Sequence, residues 1–160
     1  MPDYFRPSVT VDVAVFAPEA GTLKLLLIQR GHDPFAGAWA LPGGFIEPDE
    51  TLEASARREL QEETGLQVGS LTPVATFGDP GRDPRGRTLT VLFRALLANV
   101  PVVSGQDDAS DAAWFALDAL PPLAFDHDRV IAAAIADLRA QAANHHPHGP
   151  LSQAEQALLS

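Results

Sequence analysis

GFIEPDETLEASARRELQEETGL, residues 44–66, sets Glu59, Glu62 and Glu63 on about one turn of a helix predicted over 52–64. Side chains three and four apart are neighbours on a helix surface, so these carboxylates repel one another. They also fall in the C-terminal half of the helix, where the macrodipole disfavours anions. A solvated acidic face is the ordinary reading of a charge run, but stability alone does not favour this arrangement. Bound divalent cations would compensate it, and hard carboxylate oxygens suit Mg²⁺ or Mn²⁺.

The local signals around this stretch are consistent with a helix. Thr51 or Asp49 can cap its start, and Gly65 supplies a stop. Leu52, Ala56 and Leu60 recur every fourth position and predict a buried stripe. Upstream, the Val9, Val11, Val13, Val15 alternation predicts a half-buried strand over 8–16, joined by a hairpin through Pro18-Glu19-Ala20-Gly21 to a strand over 23–29. Extended pieces are expected at 39–41 and 45–47, on either side of Pro42-Gly43-Gly44. Strands are predicted over 73–77, 88–98 and 112–115, and a second helix over 127–141 with Asp126 as its cap. Val130, Ile131, Ile135 and Leu138 should face the core. Strands interleaved with two helices make an α/β domain with a mixed sheet. The domain is placed at residues 1–143 and a C-terminal tail, with a short helix from Ser152, at 144–160.

Composition bounds the function. A chain of 160 residues with 46% hydrophobic and 20% charged residues is an ordinary soluble globular domain. The net charge of −10 argues against nucleic acid and anionic membrane as partners. No cysteine is present, which removes disulfides, thiolate metal sites and cysteine nucleophiles and fits a cytoplasmic location. The N-terminus carries no secretory pattern, and the apolar runs at 25–28 and 91–100 are too short or interrupted to span a bilayer.

The spacing Gly44-x5-Glu50-x7-Arg58-Glu59-Leu60-x-Glu62-Glu63-x-Gly65-Leu66 resembles the Nudix box at every defined position. The likeness extends to Trp39-Ala40-Leu41-Pro42-Gly43-Gly44 and to Trp114-Phe115, and covers about residues 8–140. It implies an α/β/α sandwich around a mixed β-sheet and metal-dependent hydrolysis of a nucleoside diphosphate linked to another moiety. Carried onto this chain, Glu59, Glu62, Glu63 and the Gly43 carbonyl would be metal ligands, and Arg58 with Glu50 would brace the loop and helix. Gly44 would permit a tight loop, with Leu60 and Leu66 packing beneath it. The general base would be Glu59 or an acid outside the box. Asp107, Asp108 and Asp111 precede Trp114, where many members carry a further acid, and Asp108 and Asp111 are the favoured candidates.

Arg82, Arg85 and Arg87 concentrate positive charge in one loop of a chain with only 11 Lys and Arg. Asp83-Pro84-Arg85-Gly86, Leu123-Ala124-Phe125-Asp126-His127 and Gln29-Arg30-Gly31 with Pro34-Phe35 and Gly37 resemble the matching loops of ADP-ribose pyrophosphatases, although such pairs also make ordinary turns. The long N-terminal segment of some dimeric members is absent, and their extra glutamate-bearing loop has no clear counterpart. The expected reaction is ADP-ribose to AMP and ribose 5-phosphate, with Arg30 and Arg85 as phosphate contacts and Phe35 or Phe125 stacking on the base or lining the pocket. The partner is then a small-molecule nucleotide, and a homodimer is a candidate state because family members often dimerise.

Two alternatives stand beside this reading. One is a nucleoside triphosphate pyrophosphohydrolase with the same box and another pocket. The other is a non-catalytic ADP-ribose sensor of the kind that bacterial regulators of NAD metabolism join to a DNA-binding module. The complete box, the short stretch after the second helix and the net charge oppose the sensor. His32 and His127 are expected in surface or capping roles, Trp39 and Trp114 in the core or pocket wall. His145, His146 and His148 read as a flexible polar end.

Overall fold

The structure is a computed structural model and describes residues 3–107, 109–144 and 157. Of the expected tail over 144–160, only Asn144, which ends the second helix, and Ala157 are described; its histidines and Ser152 lie outside the described residues.

Strand β1 (Ser8–Glu19) turns at Ala20-Gly21 into β2 (Thr22–Arg30), with Glu19 opposite Thr22. Both turn residues have positive φ, 52° and 78°, the backbone that matches a two-residue turn to the twist of its strands. β1 and β2 pair only near this turn, from Phe16 opposite Leu25 to Glu19 opposite Thr22. Beyond it they splay apart. Two short strands fill the gap: β3 (Trp39–Ala40) pairs with β2, and β4 (Gly43–Phe45) pairs with β1. The Val13 N–H donates to the Pro42 carbonyl at 2.9 Å and fastens the connection between them.

Along its other edge β1 runs parallel to β6 (Thr88–Leu96), which pairs antiparallel with β5 (Thr72–Phe77). β2 carries β7 (Ala109–Ala116) on its far edge. The result is one mixed seven-stranded sheet.

Side chains alternate across a strand, so each face takes its own set. Val11, Val13, Val15 and Leu26 pack with Ala56 and Leu60 of helix α1 (Leu52–Thr64). Ala14, Phe16, Leu25 and Leu27 pack with Val130, Ile131, Ala134 and Leu138 of helix α2 (His127–Asn144), and Ala157 joins this cluster. This is the expected α/β/α sandwich. Because both faces are covered, β1 is buried without a break from Thr10 to Pro18, so the half-buried strand expected from valine alternation is corrected to one buried on both faces along that stretch.

α1 has its expected bounds. Thr51 accepts from the Ala54 N–H at 3.1 Å, and Gly65 closes the helix at φ 74°. The expected stripe is shifted. Ala56 and Leu60 are buried, but Leu52 is 39% exposed, and Ser55, Glu63 and Thr64 complete the buried set. Asp126 precedes α2, but its carboxylate is bound by Arg82 at 3.0 and 2.7 Å. Trp39 meets Phe115 edge to face at 4.8 Å, and the Trp114 indole donates to the Pro101 carbonyl at 2.9 Å.

Leu60→Ala, which truncates a side chain 1% exposed, is expected to cost about 2–5 kcal/mol. Leu52→Ala, earlier on the same helix, should cost no more than about 0.5 kcal/mol. Urea denaturation of the two variants reads the contrast.

Candidate active site

The splay between β1 and β2 opens a cleft of about 460 Å³. Thr10 and Asp12 of β1, Ile28 and Arg30 of β2 and the 40–47 segment line one part of it. Arg58, Glu59 and Glu63 of α1 line another, and Arg82, Asp83, Arg85, Phe125 and His127 close the remaining wall.

The acidic side is organised by one guanidinium. Arg58 grips Glu50 through Nε at 2.8 Å and Nη2 at 2.9 Å, and through Nη1 it reaches Glu59 at 2.8 Å and Glu62 at 3.3 Å. Its Nη2 also donates to the Phe45 carbonyl at 3.2 Å, tying the loop before α1 to the helix. Hydrogen bonds from Arg58, with help from the Ser55 hydroxyl, hold the Glu50 carboxyl below its ordinary value. Glu50 in turn raises the proton affinity of Arg58. Glu59 shifts the other way. Burial pushes its carboxyl up, Arg58 opposes the shift, and the charges of Glu62 and Asp107 add to it. Glu63, 6% exposed, accepts the Gly43 N–H at 2.7 Å and joins α1 to β4.

At Gly44 the constraint is close approach to the Glu59 carboxylate, which a side chain would push aside. A Cβ there would stand 2.5 Å from Glu59 Oε1, so the missing side chain keeps space in front of that carboxylate. Among the described residues, no group of three or more His, Asp or Glu side chains is already gathered about a common point. The donor chemistry nevertheless fits a hard divalent cation: carboxylate oxygens, one of them desolvated, beside a pocket that a Cβ would fill.

The basic wall comes from the end of β2, the 78–87 loop and the loop before α2. Arg30 donates through Nε to the Pro34 carbonyl at 2.8 Å, and its Cζ lies 4.8 Å from the Phe125 ring centroid. Burial, then the neighbouring charge of Arg85, lowers its proton affinity, with Glu63, Asp83 and Asp12 opposing. Arg85 is paired with Asp83 at 2.8 Å and lies over Phe45 at 4.9 Å and Phe125 at 5.4 Å. Burial works against the charge on Asp83, yet the Arg85 hydrogen bonds outweigh it and hold that carboxyl low. Arg82 is neutralised by Asp126, and Arg87 turns away to the Gly78 carbonyl at 3.1 Å.

One group, Asp12, escaped sequence reasoning, and another, His127, was expected in a different place. Asp12, 7% exposed, accepts the Thr90 hydroxyl, and its Oδ1 lies 3.6 Å from His127 Nε2. The signal available for it was an acid inside a valine-rich strand. His127 is 4% exposed, not on the surface as expected, and its Nδ1 accepts the Leu41 N–H at 3.0 Å. Burial lowers its proton affinity despite Asp12 and Asp126, so the imidazole is neutral near pH 7.

Among the base candidates, Glu59 lines the cleft. Asp111 lies on β7 opposite Gln29, outside the lining, where its Oδ1 accepts the adjoining Ala112 N–H at 2.8 Å. Asp108 lies outside the described residues, and Asp107 is the neighbour whose charge acts on Glu59. His32 lines the cleft rim, and its residue is exposed.

Residues 6–134 match the NUDIX domain family. An ADP-ribose pyrophosphatase from Methanocaldococcus jannaschii is 41% identical over 80% of this chain and 73% of its own length. The ADPR responsive transcriptional repressor NtrR of Acinetobacter baylyi is 44% identical over 85% of this chain and 56% of its own length. The NUDIX domain of Shewanella oneidensis NrtR, complexed with ADP ribose, superimposes with a TM-score of 0.77 at 37% identity, covering 84% of this chain and 90% of that one. A bifunctional NMN adenylyltransferase/ADP ribose pyrophosphatase from Francisella tularensis, complexed with AMP and a Mn ion, gives 0.72 at 28% identity over 85% of this chain and 43% of its own.

The expectation that nucleic acid is excluded as a partner is corrected. Shewanella oneidensis NrtR was also solved complexed with a 27mer DNA, at a TM-score of 0.71 and 37% identity, this chain covering 63% of it. Net charge is a sum over the whole chain, whereas phosphate contact depends on a local arrangement of cations, so a total of −10 excludes nothing of this kind. Among the described residues no helix is long and apolar enough to cross a membrane.

The raised proton affinity of Glu59 fixes the sign of one pH effect. A carboxyl raised on folding contributes stability below its unfolded value, near the ordinary 4.5, and loses it as pH rises through the raised folded value. Glu59→Gln carries no such charge. In metal-free unfolding between about pH 4 and 8, the stability difference should therefore move in favour of Glu59→Gln as pH rises. A constant gap, or one moving the other way, would reject the account.

Proposed function

The chain belongs to the Nudix hydrolase superfamily, and from that membership we propose that it hydrolyses ADP-ribose to AMP and ribose 5-phosphate by attack of water on a phosphoanhydride phosphorus. The observation that carries this reading is the meeting of acids and arginines in one cleft, Glu59 and Glu63 facing a wall that bears Arg30 and Arg85. A diphosphate resists water because its anionic oxygens repel a nucleophile. Both sides of this cleft act against that repulsion.

We assign Glu59, Glu62, Glu63 and the Gly43 carbonyl to a divalent cation, Mg²⁺ or Mn²⁺. When bound, the cation would neutralise phosphate charge and lower the pKa of water. Arg58 and Glu50 fix the acids in place. Among the named acids Glu59 is the base we favour, because it lines the cleft while Asp111 lies outside the lining. Arg30 and Arg85 take phosphate oxygens, for which the guanidinium fork is suited. We keep residues 1–143 as the hydrolase unit, a cytoplasmic location on the strength of the cysteine-free composition, and a homodimer as its candidate assembly.

A second reading is binding of ADP-ribose without turnover, favoured by the 44% identity to a repressor responsive to ADPR. One experiment separates the two. Glu62→Gln is the informative variant, because the side chain is 43% exposed and touches only Arg58 among the contacts described. With ADP-ribose and Mg²⁺, turnover should fall by at least about 100-fold while the melting temperature stays within a few degrees. Wild-type protein that binds ADP-ribose but never cleaves it is a sensor. Rapid cleavage of nucleoside triphosphates with negligible ADP-ribose turnover would replace the substrate assignment.

A further inference from the structure

Phe125 departs from ordinary backbone geometry. Its φ is 53°, a left-handed conformation that a bulky residue rarely adopts, and its stacking partner Phe35 has φ 61°. Such conformations persist where the surroundings require a side chain to point one way. Here the ring points into the cleft, and four groups already surround it. Arg30 Cζ stands 4.8 Å from its centroid, Arg85 Cζ 5.4 Å, the Phe35 ring 4.8 Å and the His127 ring 5.7 Å. Two cation contacts and two tilted ring contacts already crowd this ring.

The charges of the basic wall differ in how far they are spent. Arg82 is held by a buried bidentate contact with Asp126, and Arg85 is shared with Asp83. Arg30 has no carboxylate in ion-pair contact among the described residues, although it stands beside the like charge of Arg85. Arg30 is anchored at the Pro34 carbonyl and Arg85 at Asp83, and a further attraction would offset the repulsion between the two when no anion is bound. The negative face of an aromatic ring does this without neutralising either one.

We propose that Phe125 is a positioning residue whose ring holds Arg30 and Arg85 side by side as the receptor for the substrate's diphosphate, and that the base is read elsewhere in the cleft. The inference rests on the hydrolase reading above and adds which part of the substrate this wall recognises. Its consequence is independence from the base. Any anion with two adjacent phosphate-like groups should experience the loss of the ring equally.

The test uses Phe125→Leu, which keeps apolar volume, and Phe125→Tyr, which keeps the ring. KM and kcat are measured for ADP-ribose, and Ki for methylenediphosphonate, a base-free competitor that is not hydrolysed. Phe125→Leu should raise KM and Ki by the same factor, about tenfold, with kcat within about twofold, while Phe125→Tyr stays near wild type. In an Arg30→Ala background the further effect of Phe125→Leu should shrink to less than about threefold. A rise in KM with Ki unchanged would identify Phe125 as a base platform and overturn the proposal. A fall in kcat with both constants unchanged, or full multiplication of the two mutations, would overturn it as well. Should Phe125→Leu unfold at the assay temperature, Phe125→Met is read by the same criteria. Calorimetric binding of methylenediphosphonate to wild type and variants separates this inference from the substrate assignment, because it reads the arginine pair even if ADP-ribose proves not to be turned over.

Discussion

One guanidinium makes the acidic helix tenable. Glu59, Glu62 and Glu63, spaced three and four apart near a helix end, would repel each other and the dipole of their own helix. Arg58 stands among them, sharing one fork between Glu50, Glu59 and Glu62 and a further N–H with the Phe45 carbonyl. The attraction is local and partly desolvated, so it carries more weight than a surface ion pair would. It also fixes a distance. The loop before α1 cannot move away from the helix without breaking contacts to both Glu50 and Phe45. The β4 backbone is then set against Glu63 through the Gly43 N–H. The open space in front of Glu59 follows from this clamp together with the absence of a side chain at Gly44.

What the sequence made legible is what local rules govern. The bounds of α1, its Thr51 cap and its Gly65 stop depend on neighbours within a few residues and were read without tertiary information. Strand alternation located β1 but misjudged its burial, since period two cannot say whether the second face meets water or a helix. Leu52 fits the same four-residue spacing as Ala56 and Leu60, yet it stands in the first turn, and spacing alone does not show which end of a stripe the sheet reaches. β4 begins at Gly43 instead of Phe45 because its partner, β1, is supplied by residues 10–12, more than thirty positions earlier.

The basic wall was legible only in outline. Arg30 and Arg85 were picked out by residue type and by loop resemblance, but their common support was not, because it joins β2, the 78–87 loop and the start of α2. Asp12 and His127 are separated by more than a hundred positions, and the Leu41 N–H that orients the imidazole lies 86 positions from it. Nothing in a lone histidine ahead of a helix reveals that it will be buried against a strand carboxylate. The loop Leu123-Ala124-Phe125-Asp126-His127 did carry a signal. Each of its last three residues turns out to grip a different part of the cleft: Phe125 the arginine pair, Asp126 Arg82, and His127 the Leu41 backbone.

These separate grips divide the charge within a single cleft. Acids lie on the α1 side with one shared arginine, and arginines lie opposite with fewer carboxylates than they could use. A neutral histidine in the same cleft adds no net charge to either side. The division cannot come from composition, because the chain as a whole is strongly acidic. It comes from pairing Arg82 with Asp126 and Arg85 with Asp83 while Arg30 is left to an aromatic face. An unneutralised guanidinium beside a like charge is costly in a partly buried setting, and that cost falls when an anion enters. Arg30 stands on the basic wall with no carboxylate in ion-pair contact among the described residues, across the cleft from the crowded carboxylates of α1.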